Sequence, residues 1–368
     1  MPFRLPSLVC PVCRNSLLPL PVQGDTVQGD TVQGDAAGER DAARATRSRA
    51  LVCRSGHSFD AAKQGYFNLL VGKGTAFAAD TADMVAARTA FLDAGHYRPL
   101  AAAVAAAAQP ALQDADPAVL DSGTGTGHYL RAILDTLGAD APVAAVGLDI
   151  SKFALRRAAR LNPEAVNLVS DVWQPFPVAD ASIDVVTVVF APRNAAEFSR
   201  VLKPSGRLVV VTPRQGHLGE IAGRTGMLGI EPAKDERLAE GLGDHFELLS
   251  TEDLHLDLQL SPDDVANLAL MGPAGHHTGR TELAAKLAGL QRLPPPPGGH
   301  QVTAWPRSGT GYRPPARQCC FGLGWKKVTE GLPRSPRDQG GIECLNGSAK
   351  TGGRSGSRSS SRSQPWRC

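Results

Sequence analysis

The sequence predicts an open α/β fold: a mostly parallel sheet covered by helices on both faces, with a small Cys/His module ahead of it. Three observations carry this. Strand and helix patterns alternate over residues 84–292. One strand runs through a glycine-rich turn directly into a helix. Four Cys/His residues upstream have the spacing of metal ligands.

The elements follow in order. The tract "PLAAAVAAAAQPAL" (99–112) suits a helix and is too short to span a bilayer. "AVLDSG" (118–123) is a short apolar run ending in glycine, and "HYLRAILDTL" (128–137) is helical by period. "VAAVGLDI" (143–150) is strand-like, and "SKFALRRAARL" (151–161) opens on Ser151, a good N-cap, and continues as a helix. "DVVTVVFAP" (184–192) and "GRLVVVTP" (206–213) are β-branched strands, with the helix "AAEFSRVL" (195–202) between them.

Composition sets the outer limits. The 368-residue chain has a net charge of +3, unevenly spread. From Pro294 onward twelve Lys/Arg face three acidic residues, a net +9 that leaves −6 for the body. No apolar run of about eighteen residues exists, and the start lacks the features of a signal peptide. Cytoplasmic residence is expected, where thiols stay reduced and cysteines read as ligands or bystanders.

Four segments result. Residues 1–70 hold the Cys/His set and a tandem "VQGDT" repeat (22–36), read as a loop expansion. Residues 71–83 are a linker, and 84–292 the α/β domain. Residues 293–368, rich in Pro, Gly, Ser and Arg, are expected to be a disordered, dispensable tail adding only non-specific attraction to phosphates.

Two constellations carry chemistry. In "VLDSGTGTGHYL" the strand meets Asp121-x-Gly123-x-Gly125-x-Gly127 and then a helix N-terminus, which lets the backbone approach a ligand closely. The dinucleotide fingerprint places its third glycine one residue later, so a nicotinamide domain and a bare glycine turn are the weaker readings. Cys10, Cys13, Cys53 and His57 form C-x2-C and C-x3-H pairs across a 39-residue gap. That inventory suits a closed tetrahedral zinc site, against unligated surface cysteines as the alternative. His96 and Tyr97 read first as helix-end packing, His217 as a loop or pocket residue, and His276 and His277 as solvated.

These motifs together resemble the zinc-containing bacterial 23S rRNA (guanine-N1)-methyltransferase family. The elements are "CPVC" (10–13), "CRSGHSFDAAKQGYFNLL" (53–70), "ARTAFLDAGHY" (87–97), the glycine-rich strand, "GLDIS" (147–151) and "RVLKPSGRLVVVTP" (200–213) leading to His217. "LMGPAGHHTGRTELAAKLAGL" (270–290) looks like the macrolide-resistance branch of tylosin and mycinamicin type. The resemblance implies a class I, Rossmann-like methyltransferase domain with a zinc-binding module in front. It implies S-adenosyl-L-methionine as methyl donor and a structural Zn2+. It implies cofactor contacts from Tyr97, Asp121, Gly123, Gly125, Thr126, Gly127, His128, Asp149, Asp171 and His217. The implied reaction is methylation of N1 of a guanine in a domain II hairpin of 23S rRNA lining the peptide exit tunnel, giving macrolide resistance. Its partner is 23S rRNA, with a homodimer as an option and no membrane. No residue identifies itself as the general base. The sequence departs from the pattern at Ser122 and in its acidic body, which leaves the RNA-binding surface to be located. A small-molecule methyltransferase of natural-product biosynthesis and a non-catalytic zinc-bearing RNA-binding protein are the competing readings.

Overall fold

Two sheets organise the described residues of this computed structural model, which are 6–21, 48–72, 74–137, 143–214, 240–287 and 299–308. The pentapeptide repeats, His217 and everything after residue 308 lie outside them. The first sheet is antiparallel, with β1 (Leu17–Pro21), β2 (Ser48–Cys53) and β3 (Ser58–Asp60) in that order. Its register sets Leu17 opposite Cys53 and Leu51 opposite Phe59. β4 (Tyr66–Asn68) leaves this module and becomes the edge strand of the main sheet, parallel to β7 (Val166–Val169). The module expected over residues 1–70 therefore runs into the α/β domain instead of stopping short of it.

Between β4 and β7 come α1 (Ala82–Asp93), α2 (Arg98–Ala108), β5 (Ala118–Ser122), α3 (His128–Thr136), β6 (Ala144–Asp149) and α4 (Lys152–Leu161). Ser151 caps α4, its hydroxyl accepting from the Ala154 N–H, as the sequence predicts. β8 (Ile183–Val189), α5 (Ala195–Val201), β9 (Leu202–Pro213), β10 (Ser250–His255), α6 (Pro262–Leu270), α7 (Arg280–Leu287) and β11 (Gly299–Pro306) complete the order. The eight strands lie β10-β11-β9-β8-β5-β6-β7-β4. Strands β4 to β9 pair in parallel, while β11 is antiparallel to both neighbours.

Alternation along the strands builds two cores. Val119, Val185, Val209, Val211 and Val302 face α1, α2, α3 and α6; Leu120, Val186, Leu208, Val210 and Trp305 face the other way. The Cys/His module packs on this second face, with Leu8, Leu17 and Leu51 joining Phe176 and Val178. Strand order reverses beside β5, so the crevice beyond its carboxyl end is where an open α/β sheet binds ligands.

β11 corrects the sequence reading. Residues 299–306 fall in the expected disordered tail, yet all eight are buried, between β9 and β10. The run "HQVTAW" alternates so that Val302 takes one face and Trp305 the other. "PPPPGG" directly before it hides this short period, because proline and glycine in the same window read as a linker. No described helix is long and apolar enough to cross a membrane.

Candidate functional site

The glycine turn is a cradle at the carboxyl end of β5. Gly123, Gly125 and Gly127 all take left-handed backbone, at φ +76°, +55° and +84°. Their reasons differ. A Cβ on Gly123 would come within 2.3 Å of the Ala191 Cβ, and one on Gly127 within 2.4 Å of the Asn162 Nδ2. At Gly125 only the Arg88 side chain lies near, at 3.4 Å, so this face is open to a ligand. Two glycines hold the turn against its neighbours; the middle one leaves room.

Two carboxylates frame the cradle. Asp149, ending β6, accepts from the Gly125 N–H at 2.8 Å and from the Ser151 N–H at 2.7 Å. It thereby ties the glycine turn to the start of α4, and burial pushes its pKa up. Asp121 accepts from the Thr187 hydroxyl at 2.7 Å through Oδ1, while its buried Oδ2 has no partner. Burial, with a smaller contribution from the charge of Asp149 and against the pull of the Thr187 and Thr124 hydroxyls, carries Asp121 up to about 6. A buried acceptor left unsatisfied costs about 1–3 kcal/mol, which a cationic nitrogen of a ligand would recover.

The remaining expected contacts are spread along the same edge of the sheet. Thr126 is buried within the turn, and His128 opens α3 with its Nε2 buried and unpartnered. Burial lowers the His128 pKa, which favours the neutral ring. Asp171, beyond β7, has both oxygens engaged, by the Thr75 hydroxyl at 2.8 Å and the Trp173 N–H at 3.0 Å. It anchors the linker before α1. Tyr97 is buried at the start of α2, with ring centroids 5.1 Å from Phe91, 5.1 Å from His300 and 6.3 Å from Phe190. His96 reaches Asp264 at 3.1 Å, the helix-end packing the sequence suggests.

Three residues escape the sequence reading. Arg88 pairs with Asp80 at 2.6 Å, donates to the Met271 carbonyl at 2.8 Å and flanks Gly125. Its signal was its place in "ARTAFLDAGHY". Phe190, next to the Ala191 that abuts Gly123, holds φ +54° and stays 44% exposed. A bulky residue in that region is strained by about 1–3 kcal/mol. Within an apolar strand pattern nothing marks it. His300 lies on the unforeseen β11, its ring 5.4 Å from Phe190.

The second constellation is a cluster of four donors. The ligand atoms of Cys10, Cys13, Cys53 and His57 all lie within 4.8 Å of one another. Cys13 and Cys53 sulfurs are 3.7 Å apart, and the His57 Nδ1 is 3.6 Å from Cys10 and 3.4 Å from Cys53. A tetrahedron with Zn–S near 2.3 Å has sulfur–sulfur edges of about 3.8 Å and slightly shorter sulfur–nitrogen edges. The donor set thus fits zinc in size and in chemistry. A hydrogen bond from the Asn15 backbone, helped by the Ser55 hydroxyl, pulls the Cys13 thiol down to about 6, toward the thiolate that binds metal. Backbone bonds fix the first pair to the α/β domain, Val9 N–H to the Pro177 carbonyl at 3.1 Å and Ala179 N–H to Ser7 at 2.8 Å. With all four positions taken by protein, such a site is closed and structural.

Comparison with known proteins decides the family. Residues 113–242 match a family described as a methyltransferase domain, and residues 42–72 match a zinc-ribbon family described as "RlmA, N-terminal". A 23S rRNA (guanine(748)-N(1))-methyltransferase of Streptomyces fradiae is 45% identical over 256 residues, covering 69% of this chain and 88% of the relative. A protein of Micromonospora griseorubida, provisionally named a 23S rRNA (guanine-N(1)-)-methyltransferase, is 43% identical over 303 residues, 78% of this chain and 93% of the relative. The chain belongs to the 23S rRNA (guanine-N1)-methyltransferase family. The fold is accordingly a class I methyltransferase with an N-terminal zinc ribbon, its cofactor is S-adenosyl-L-methionine, and its zinc is structural. Cys10 and Cys13 fall outside the matched part of the ribbon; geometry alone joins them to Cys53 and His57.

Proposed function

We propose that this enzyme methylates N1 of a guanine in a domain II hairpin of 23S rRNA lining the peptide exit tunnel, and so confers resistance to macrolides of mycinamicin and tylosin type. It acts in the cytoplasm, as a monomer or a homodimer. The observation that carries the reading is the pairing of an open-faced glycine cradle with a four-donor zinc cluster packed on the same sheet. A small-molecule methyltransferase has no need of the second.

In this reading the cradle from Asp121 to His128, with Asp149, Asp171, Tyr97 and His217, holds S-adenosyl-L-methionine. The unpartnered Asp121 Oδ2 suits the ammonium of the cofactor's amino-acid end, and Gly125 leaves its backbone open to approach. When bound, the cofactor supplies an electrophilic methyl group. The chain's own contribution is placement: holding acceptor and donor in line supplies much of the rate. Guanine N1 lies on the pairing edge, so the base must be unpaired or flipped out. Phe190, strained and half-exposed beside Gly123, offers the face on which such a base stacks. The N1 proton leaves to a base or to solvent.

The test is transfer of labelled methyl from S-adenosylmethionine to naked 23S rRNA, with mapping of the product. Label at guanine N1 in domain II is expected; label on no RNA overturns the reading. Two variants test the cradle. Gly125→Val closes the open face, and Asp149→Ala removes an acceptor that also shapes the turn. Each should weaken S-adenosylhomocysteine binding at least about a hundredfold by calorimetry, roughly 2.8 kcal/mol. Wild-type affinity in both folded variants would place the cofactor elsewhere.

A further inference from the structure

Among the described residues, α4 carries a cluster of positive charge that no carboxylate neutralises. α4 turns Ala154, Leu155, Ala158 and Ala159 inward and carries Arg156, Arg157 and Arg160 on its outer side. These arginines, with Gln64 from the β3–β4 turn, Ala82 at the start of α1, and Phe153, border a cavity of about 230 Å3. No carboxylate lines it.

Several cations elsewhere are neutralised by carboxylates. Arg88 is paired with Asp80, Arg131 with Asp135 and Glu164, Arg200 with Asp180 and Glu197, and Lys203 with Asp184. Among the described residues Arg156, Arg157 and Arg160 form no ion pair. The Arg156 guanidinium lies over the Phe153 ring at 5.2 Å, and its Nε is buried with no acceptor. Three guanidinium groups in an acid-free cavity call for an anionic ligand with oxygens to accept from them. Phosphate fits that fork bidentately.

Position narrows the anion. α4 starts three residues after Asp149, and an adjoining cavity of about 590 Å3, which Asp83 and the Arg88-paired Asp80 also line, shares Ala82 and Phe153 with the first and reaches Ile150. The basic groove thus lies next to a cavity that reaches the edge of the cofactor cradle between the strand that leaves the zinc ribbon and α4. We propose that this groove holds the phosphodiester backbone of the RNA substrate beside the target base, a proposal that rests on the RNA-methylation reading above. Phosphate contacts of this kind fix register and leave sequence to be read elsewhere.

The test is the salt dependence of binding of a domain II hairpin transcript to the full chain. Losing three phosphate contacts should flatten the log–log slope by about 2, at about 0.7 per contact for single strands. The Arg156→Gln, Arg157→Gln, Arg160→Gln triple variant should show that, with S-adenosylhomocysteine affinity kept as the sign of an intact fold. If the triple variant does not fold, Arg160→Gln alone, at an exposed position, should flatten the slope by about 0.7. Lys286→Gln on α7, a cation already paired with Glu282, should leave the slope alone. An unchanged slope in the folded arginine variants, or an equal loss in Lys286→Gln, overturns the groove. The two readings fail separately. Hairpin binding that depends on these arginines, without methyl transfer, sinks the activity and keeps the groove; methyl transfer with an unchanged slope does the reverse.

Discussion

A chain ending at Arg292 is expected to lose cofactor binding and cooperative unfolding, whereas a chain ending at Ser308 keeps both. The first lacks β11, which pairs with β9 from His300 opposite Pro213 to Pro306 opposite Arg207, and with β10 on its other side. Removing it strips two ladders and uncovers both faces at once. Trp305 and Val302 leave the two cores, and His300 leaves the Tyr97–Phe190 cluster beside the cradle. Truncating one buried tryptophan to alanine costs about 3–5 kcal/mol, against about 5–15 kcal/mol for a whole domain. Loss of the strand exceeds what the domain can bear. Thermal unfolding and calorimetry with S-adenosylhomocysteine on the two truncations read the result. A chain ending at Arg292 that melts at the full-length Tm and binds the cofactor would make β11 dispensable.

The parts that could be read from the sequence are those whose signal is local. Strand β5, its glycine turn and α3 announce themselves because backbone φ at Gly123, Gly125 and Gly127 admits little but glycine. Asp149 and the Ser151 cap are as legible, since each acts on residues near it in the chain or across one strand. What was not legible depends on distance or on neighbours. β4 is only three residues, and its place beside β7 follows from where the zinc ribbon sits. β11 is masked by the prolines before it. The role of Asp171 as an anchor for Thr75 needs a loop 96 residues away. The sequence says nothing of the arginines of α4 beyond their place in a helix; only the lack of carboxylates lining their cavity separates them from Arg131 or Arg200.

Removal of the zinc ligands should have the other large effect, and one that divides the molecule. Purified protein is expected to carry about one equivalent of zinc, and a Cys53→Ala, His57→Ala double variant essentially none. Two of four donors cannot hold a tetrahedral ion at a closed site. Zinc supplies folding free energy to modules this small, about 10–16 kcal/mol in isolated finger peptides. Without it the short strands β1 to β3 have little core of their own. The ribbon's apolar residues Leu8, Leu17 and Leu51 reach the main core only while the ribbon holds its shape. The variant should therefore become sensitive to protease within residues 48–65 and bind the RNA hairpin at least about tenfold more weakly, since Gln64 borders the basic groove and β4 the cavity adjoining it. Its affinity for S-adenosylhomocysteine should fall much less. The cradle is built from β5, β6, β8, α3 and α4, and Asp121, Gly125 and Asp149 find their partners there without the ribbon. Elemental analysis, limited proteolysis and the two binding assays separate these effects. Stoichiometric zinc in the double variant would show that the ion sits elsewhere. Equal loss of cofactor and RNA binding would show that ribbon and methyltransferase domain fold as one.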